Sequence, residues 1–268
     1  MSLFTGSVLS RFLGGLFLAS FFLPSLVQAE SVFTHVHMRV PDTTESAQWH
    51  AEFFDRVIRP GGPGPNIVYG NGNIGTMPNE GLASTSEGGA IDHFGIAVPN
   101  VAAAVAKARE MGATVKTEPR EGVTAPVIAF IEDPWGVRME LLEDPEYLGV
   151  NHIHMMSVDP DAMRDWFLQV FGGKYVEARG KGIFHTILYG NVWVHVSSPR
   201  QGAGVAPSRG RAIDHMGFRV PSLDKFRATL KRSGYNPYLE RANPPGSDLM
   251  FFVGPDGIHF EVSENEQQ

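Results

Sequence analysis

Histidine recurs in this chain at a spacing of two, as His35 with His37 and again as His152 with His154. His259 and Glu261 stand at the same spacing. Side chains alternate faces along a strand, so each pair shares one face wherever its segment is extended. Two more histidines, His93 and His215, follow Ile-Asp. Two neutral imidazoles and one carboxylate form a facial triad for a divalent cation, with positions left open for substrate, water or dioxygen. Taking one His from an opening strand, one from an Ile-Asp-His strand and one Glu from a closing strand gives His152, His215 and Glu261 in the second half. The parallel set in the first half is His35, His93 and Glu140. A dipositive ion there leaves a local charge near +1, which attracts an enolate, a catecholate or an α-hydroxycarbonyl. A single strand histidine is ordinarily a core or surface residue. Glu140 and Glu261, however, lie between apolar neighbours, where a buried carboxylate needs a partner or a metal. Recurrence at matching places in both halves carries the metal reading.

The elements that must position these groups are repeats. Ile91–Pro99 returns as Ile213–Pro221 with six of nine residues identical, at an offset of 122. Phe33–Met38 resembles Val150–Met155 at 117, and Tyr69-Gly70-Asn71 returns as Tyr189-Gly190-Asn191 at 120. Pro134-x-Gly136-x-x-x-Glu140-x-x-Glu143 returns as Pro255-x-Gly257-x-x-x-Glu261-x-x-Glu264 at 121. A near-constant offset makes two related halves, about 31–149 and 150–266, and each half divides again. Every quarter opens on an apolar, β-branched run containing His. A helix signal follows: Asp42-x-x-Glu45 with capping-box spacing, Asn100 with Gly112 as terminator, Asp159-Pro160 ending near Gly172, and Ser222 ending at Gly234. Short strand-like runs separated by Gly, Pro and Asn come next. Each quarter therefore reads β-α-β-β-β. The Gly/Pro/Ser-rich loops at 79–90 and 198–212 are expected to join quarters within a half.

Composition agrees with a folded domain pair. The 268 residues are 43% hydrophobic and 19% charged, which excludes wholesale disorder. The formal charge is −7 with no long basic run, a poor match to nucleic acid. The absence of Cys excludes a disulfide scaffold, a thiolate metal site and a cysteine nucleophile. Residues 1–29 read as a secretory signal: Arg11, an apolar run Phe12–Leu23, Pro24, then Val27-Gln28-Ala29. That run is too short to span a bilayer. The expectation is an exported, periplasmic or secreted protein that does not stay on a membrane once the signal is removed.

On these motifs the chain resembles the vicinal oxygen chelate superfamily, which includes glyoxalase I, the type I extradiol dioxygenases and the bleomycin- and fosfomycin-resistance proteins. The resemblance covers 31–265. It implies an α+β fold of two related domains, 30–149 and 150–268, each a pair of βαβββ modules forming an open mixed β-barrel around a divalent metal. The modules would span about 31–80, 90–149, 150–199 and 212–265. A four-module chain implies a working metal in the C-terminal pair, so His152, His215 and Glu261 carry over as ligands. His195, in Val192–Val196, stands where glyoxalase I has a fourth ligand, a Glu, and where the extradiol enzymes have an acid–base His. The first half offers only Ile74-Gly75-Thr76-Met77 there. Where the extradiol pattern has Tyr, this chain has Phe130 and Phe251, which speaks against ring cleavage.

The leading expectation is thus a metal-dependent lyase or isomerase of glyoxalase type that binds adjacent oxygens of a small substrate, with His195 or His259 as base. The cation is Fe, Zn, Mn, Ni or Co. Export argues against glutathione adducts and for a small hydroxy-keto substrate. The alternatives are an Fe(II) extradiol-type dioxygenase and a non-catalytic small-molecule binder. An oligomer is compatible with all three.

Overall fold

The computed structural model describes residues 31–241 and 248–264. The expected signal at 1–29 lies outside the described residues. Four βαβββ modules follow one another. The first is β1 (Val32–Val40), α1 (Thr43–Phe54), β2 (Val57–Arg59), β3 (Asn66–Val68) and β4 (Asn73–Pro78). The second is β5 (Ile91–Ala97), α2 (Val101–Glu110), β6 (Thr114–Arg120), β7 (Ile128–Glu132) and β8 (Arg138–Leu142). The third is β9 (Gly149–Met156), α3 (Pro160–Val170), β10 (Lys174–Tyr175), a one-turn α4 (Glu177–Gly180), β11 (His185–Tyr189) and β12 (Val192–Ser197). The fourth is β13 (Ile213–Val220), α5 (Leu223–Arg232), β14 (Pro237–Arg241), β15 (Leu249–Val253) and β16 (His259–Glu264).

The helices begin where their capping residues place them. Asp42 accepts from the backbone N–H groups of Thr44 and Glu45, Asn100 from Ala103, Asp159 from Ala162 and Ser222 from Lys225. Gly112, Gly172 and Gly234 take positive φ just beyond three of the four main helices, the conformation glycine adopts most readily. Among the described residues no helix is long and apolar enough to cross a membrane.

The modules pair crosswise. One eight-stranded sheet runs β14-β15-β16-β13-β1-β4-β3-β2 and joins modules one and four. The other runs β10-β11-β12-β9-β5-β8-β7-β6 and joins modules two and three. This corrects the expectation that each half closes on itself. The central ladders are antiparallel, β1 with β13 and β5 with β9, and flanking strands β4, β16, β8 and β12 add in parallel. The loops at 79–90 and 198–212 carry the chain between sheets, not within a half. They meet as they cross, through parallel bridges Ser84–Arg211 and Gly89–Ala206.

Strand alternation sorts the side chains cleanly. Val36, Met38 and Val40 of β1, Ile153 and Met155 of β9, Met216 and Phe218 of β13, and Phe260 and Val262 of β16 join one hydrophobic core with the helices. The other face of each sheet carries the histidines and glutamates. Trp49 Nε1 donates to Met111 O, 2.7 Å, and His50 Nε2 lies 2.9 Å from Asp133 Oδ2. His50 thus ties α1 to the turn after β7 and has a structural partner.

Candidate metal centres

Each sheet gathers one set of donors. In the second sheet two rows cross four strands: His93, His154 and His195 in one, Glu140, Gly95 and His152 in the next. His93 Nε2 lies 3.3 Å from Glu140 Oε2, and His152 Nε2 lies 3.4 Å from the same oxygen. Ligand atoms on one cation at 2.0–2.2 Å stand roughly 2.8–3.6 Å apart, so the three donors fit a common ion. The donor atoms of His93, His152 and His154 also lie within 4.8 Å of one another. The His195 ring stacks on His152, centroids 4.3 Å apart. The Nε2 atoms of His152 and His195 are buried without a hydrogen-bond partner. A buried, unpaired imidazole nitrogen is costly unless something binds it, and a divalent cation would.

Outer contacts fix these rings. His93 Nδ1 donates to Asp92 Oδ1 at 2.6 Å, and Asp92 is in turn held by Arg138 and by the N–H of Gly88, 2.8 Å. His152 Nδ1 donates to Asn151 Oδ1, 3.0 Å, and Asn151 Nδ2 donates to Asp144, itself bonded to Arg179. Fixing Nδ1–H leaves Nε2 with its lone pair inward, the orientation a metal ligand needs. Gly95 supplies the room: a Cβ there would stand 2.2 Å from Cε1 of His152.

The electrostatics follow from burial and charge. Burial holds His154 and His195 well below the ordinary imidazole value, reinforced by the neighbouring histidines. Burial also lowers His152, against the pull of Glu140. All three are therefore neutral near pH 7. Burial disfavours the His93 cation too, but its bonds to Asp92 and Glu140 prevail and raise it. Burial alone would raise Glu140; His152 and His93 outweigh it and keep the carboxylate ionised.

The first sheet repeats the plan. His37 pairs with His215, His35 with Gly217, and Gly217 with Glu261. His215 Nε2 is 3.5 Å and His35 Nε2 3.7 Å from Glu261 Oε2, and His37 Nδ1 is 2.9 Å from His215 Nε2. His215 Nδ1 donates to Asp214, 2.7 Å.

The expected sets are therefore exchanged. His152 is not grouped with His215 and Glu261; it joins His93 and Glu140. His35 leaves that latter pair and joins His215 and Glu261. The physical reason is the crosswise pairing, which puts β9 beside β5 and β1 beside β13. His195 stays with His152. His259 does not face the donors: its Nδ1 lies 2.9 Å from Asp214 Oδ1 and its Nε2 meets the Tyr238 hydroxyl, so it backs His215. Sequence reasoning missed Gly95 and Gly217, although a lone glycine inside a strand signals close approach. It also gave no role to His37 and His154. Phe130 sets its edge on His93, centroids 5.1 Å, and Phe251 does so on His215 at 5.6 Å, so neither offers a hydroxyl.

A cavity of about 560 Å³ lies between the 121–126 loop and α4, lined by Tyr147, Arg179, Lys181 and Trp193. Trp193 shares the donor face of β12 with His195. Phe184 packs on His195 and His154, 4.9 and 5.3 Å between centroids.

A family model described as Glyoxalase/Bleomycin resistance protein/Dioxygenase superfamily matches residues 32–141 and again 149–262. A probable lactoylglutathione lyase, chloroplastic, from Arabidopsis thaliana is 34% identical over 160 residues, 54% of this chain. That match spans 45% of the plant protein, less than half of its length. The lactoylglutathione lyase of Escherichia coli O157:H7 is 30% identical over 125 residues, 42% of this chain and 92% of that enzyme. In structure, glyoxalase I from Zea mays superposes with a TM-score of 0.67 at 18% identity, covering 88% of this chain and 92% of the maize chain. A dioxygenase-like protein from Bacillus subtilis gives 0.67 at 14%, covering 90% and 87%. These structural likenesses concern the fold.

Proposed function

Because the chain belongs to the Glyoxalase/Bleomycin resistance protein/Dioxygenase superfamily, we propose that it is a divalent-metal-dependent lyase or isomerase of glyoxalase type, working at the donor cluster of the second sheet. His93, His152 and Glu140 are the ligands in this reading. The observation that carries it is the shared Glu140 oxygen, 3.3 and 3.4 Å from two inward Nε2 atoms. A cation bound there supplies Lewis acidity to adjacent substrate oxygens. His195, neutral and unpartnered at Nε2, takes the proton from the carbon beside the carbonyl and returns it to the neighbouring carbon. Phe184 covers the cluster and keeps water from it.

The relatives named lactoylglutathione lyase support the reaction class. The leader-like residues 1–29 support an exported enzyme, for which a small hydroxy-keto compound is a better substrate than a glutathione adduct. The phenylalanines at 130 and 251 weigh against the dioxygenase alternative.

The test is metal analysis and turnover of the purified chain loaded with Zn, Ni, Co, Mn or Fe(II), on α-hydroxycarbonyl compounds and on lactoylglutathione, with dissolved oxygen monitored. Turnover that needs metal and leaves oxygen untouched is expected. Stoichiometric oxygen uptake would refute the lyase reading. His195→Ala should keep the metal while losing turnover; loss of the metal would make His195 a ligand.

A further inference from the structure

We propose that the first sheet holds a second divalent cation, gripped by His35, His37, His215 and Glu261, and that Gly75 is what makes this ligand set possible. The four donor atoms lie within 4.8 Å of one another. Three of the pairwise distances are 2.9, 3.5 and 3.7 Å, close to the spacing of ligands on one ion. Two imidazoles are already turned for the task. His35 Nδ1 is 3.0 Å from Thr34 Oγ1 and His215 Nδ1 is on Asp214, so both present Nε2 inward. His35 Nε2 is buried without a hydrogen-bond partner. Gly217 leaves the space His35 needs, since a Cβ there would stand 2.2 Å from its Cε1.

The fourth ligand comes by a different route from that of the second sheet. There β12 places His195 beside His154. Here β4 places Gly75 beside His37. A Cβ at 75 would stand 2.4 Å from Cδ2 and Nε2 of His37. The His37 ring therefore occupies space that every other residue at 75 would deny it. The imidazole missing from the last strand is replaced by one from the neighbouring strand. Three imidazoles and a carboxylate favour Zn, Ni, Co or Fe(II) over Mg or Ca, which prefer all-oxygen sets.

The inference does not rest on which centre turns over substrate, and the test reads stoichiometry alone. Metal-stripped full-length chain is titrated with Co(II), and bound metal is counted by elemental analysis after gel filtration, with circular dichroism as the check on folding. Two ions per chain are expected for the unaltered protein. His37→Ala and Gly75→Ala should each leave one, and so should Glu140→Gln, by emptying the other centre. His37→Ala with Glu140→Gln should leave none. One ion in the unaltered chain, lost in Glu140→Gln, would overturn the second centre. Two ions persisting in folded His37→Ala and Gly75→Ala would overturn its ligand set. If instead Glu140→Gln keeps both ions, the second-sheet assignment fails while this one stands. Excess Mg(II) should displace neither ion.

Discussion

Gly95→Ala is the most direct probe of the second-sheet cluster, because it adds one methyl group and removes no donor. The new Cβ would stand 2.2 Å from Cε1 of His152, where ordinary contact begins near 3.4 Å. The imidazole must retreat by about 1.2 Å. Gly95 is in register with Glu140 and backed by a close-packed core, so β5 cannot yield instead. His152 then leaves the Glu140 oxygen it now approaches at 3.4 Å. A displacement of that size in a positioned group costs on the order of 100-fold in turnover. Metal affinity should fall by at least about 10–100-fold, the range seen when only an outer partner of a ligand is disturbed. Overpacking should cost about 1–3 kcal/mol of stability. The assay is competitive metal titration beside urea unfolding, with Gly204→Ala as control, since a Cβ at 204 meets nothing within 4 Å. If Gly95→Ala binds metal as tightly as the parent chain, the role given to His152 is wrong.

Three further outcomes follow from the same contacts. Asp92→Asn should lower metal affinity at the second sheet about 10–100-fold by loosening the His93 ring, with the fold retained by circular dichroism. The metal-free protein should lose stability as pH falls below about 6.5, the unfolded imidazole value. His37, His152, His154 and His195 are buried neutral with folded values below that, so the unfolded chain binds more protons there. Each contributes a slope of up to about 1.4 kcal/mol per pH unit until its folded value is reached. Denaturation midpoints rising from pH 7 to pH 5 would contradict it. Halves 30–149 and 150–268, produced separately, should associate one to one, because β1 needs β13 and β5 needs β9. Sedimentation that finds only monomers on mixing would count against the crosswise ladders.

Much of this was legible in the sequence, and the part that was not has a definite cause. Capping residues Asp42, Asn100, Asp159 and Ser222 start helices because they satisfy local N–H groups within three residues. Alternation put His35 with His37 and His152 with His154 on one face because the period of a strand is a local property. Pairing of modules is not local. The repeats are so alike that β1 beside β5 and β1 beside β13 satisfy the same pattern, and no residue of Ile91–Pro99 or Ile213–Pro221 distinguishes them. Only the long loops decide it, by carrying the chain across to the other sheet after β4 and back after β12. His259 shows another limit. Spacing put it on the face of Glu261, but the Asp214 carboxylate behind His215 draws its ring away.

Crosswise pairing also changes what the duplication means. Had each half closed alone, one half could have decayed without touching the other. Here every donor cluster takes residues from both halves, so a change in β9 or β1 strikes a site that the partner half completes. The two clusters keep the same Asp-His pair and the same strand glycine, and they differ at 75 and 195. A glycine at 75 admits the His37 ring, whereas at 195 a histidine stacks on His152. They differ again behind the ligand: Asp92 is held by Arg138, while Asp214 is held by Arg39 at 2.5 Å and by His259. The second sheet thereby gains an unpartnered imidazole beside its carboxylate, and the first gains a ring turned inward among its other donors. One arrangement suits moving a proton, the other suits holding an ion. A duplicated fold that shares its strands between halves can separate those two tasks only at such single positions.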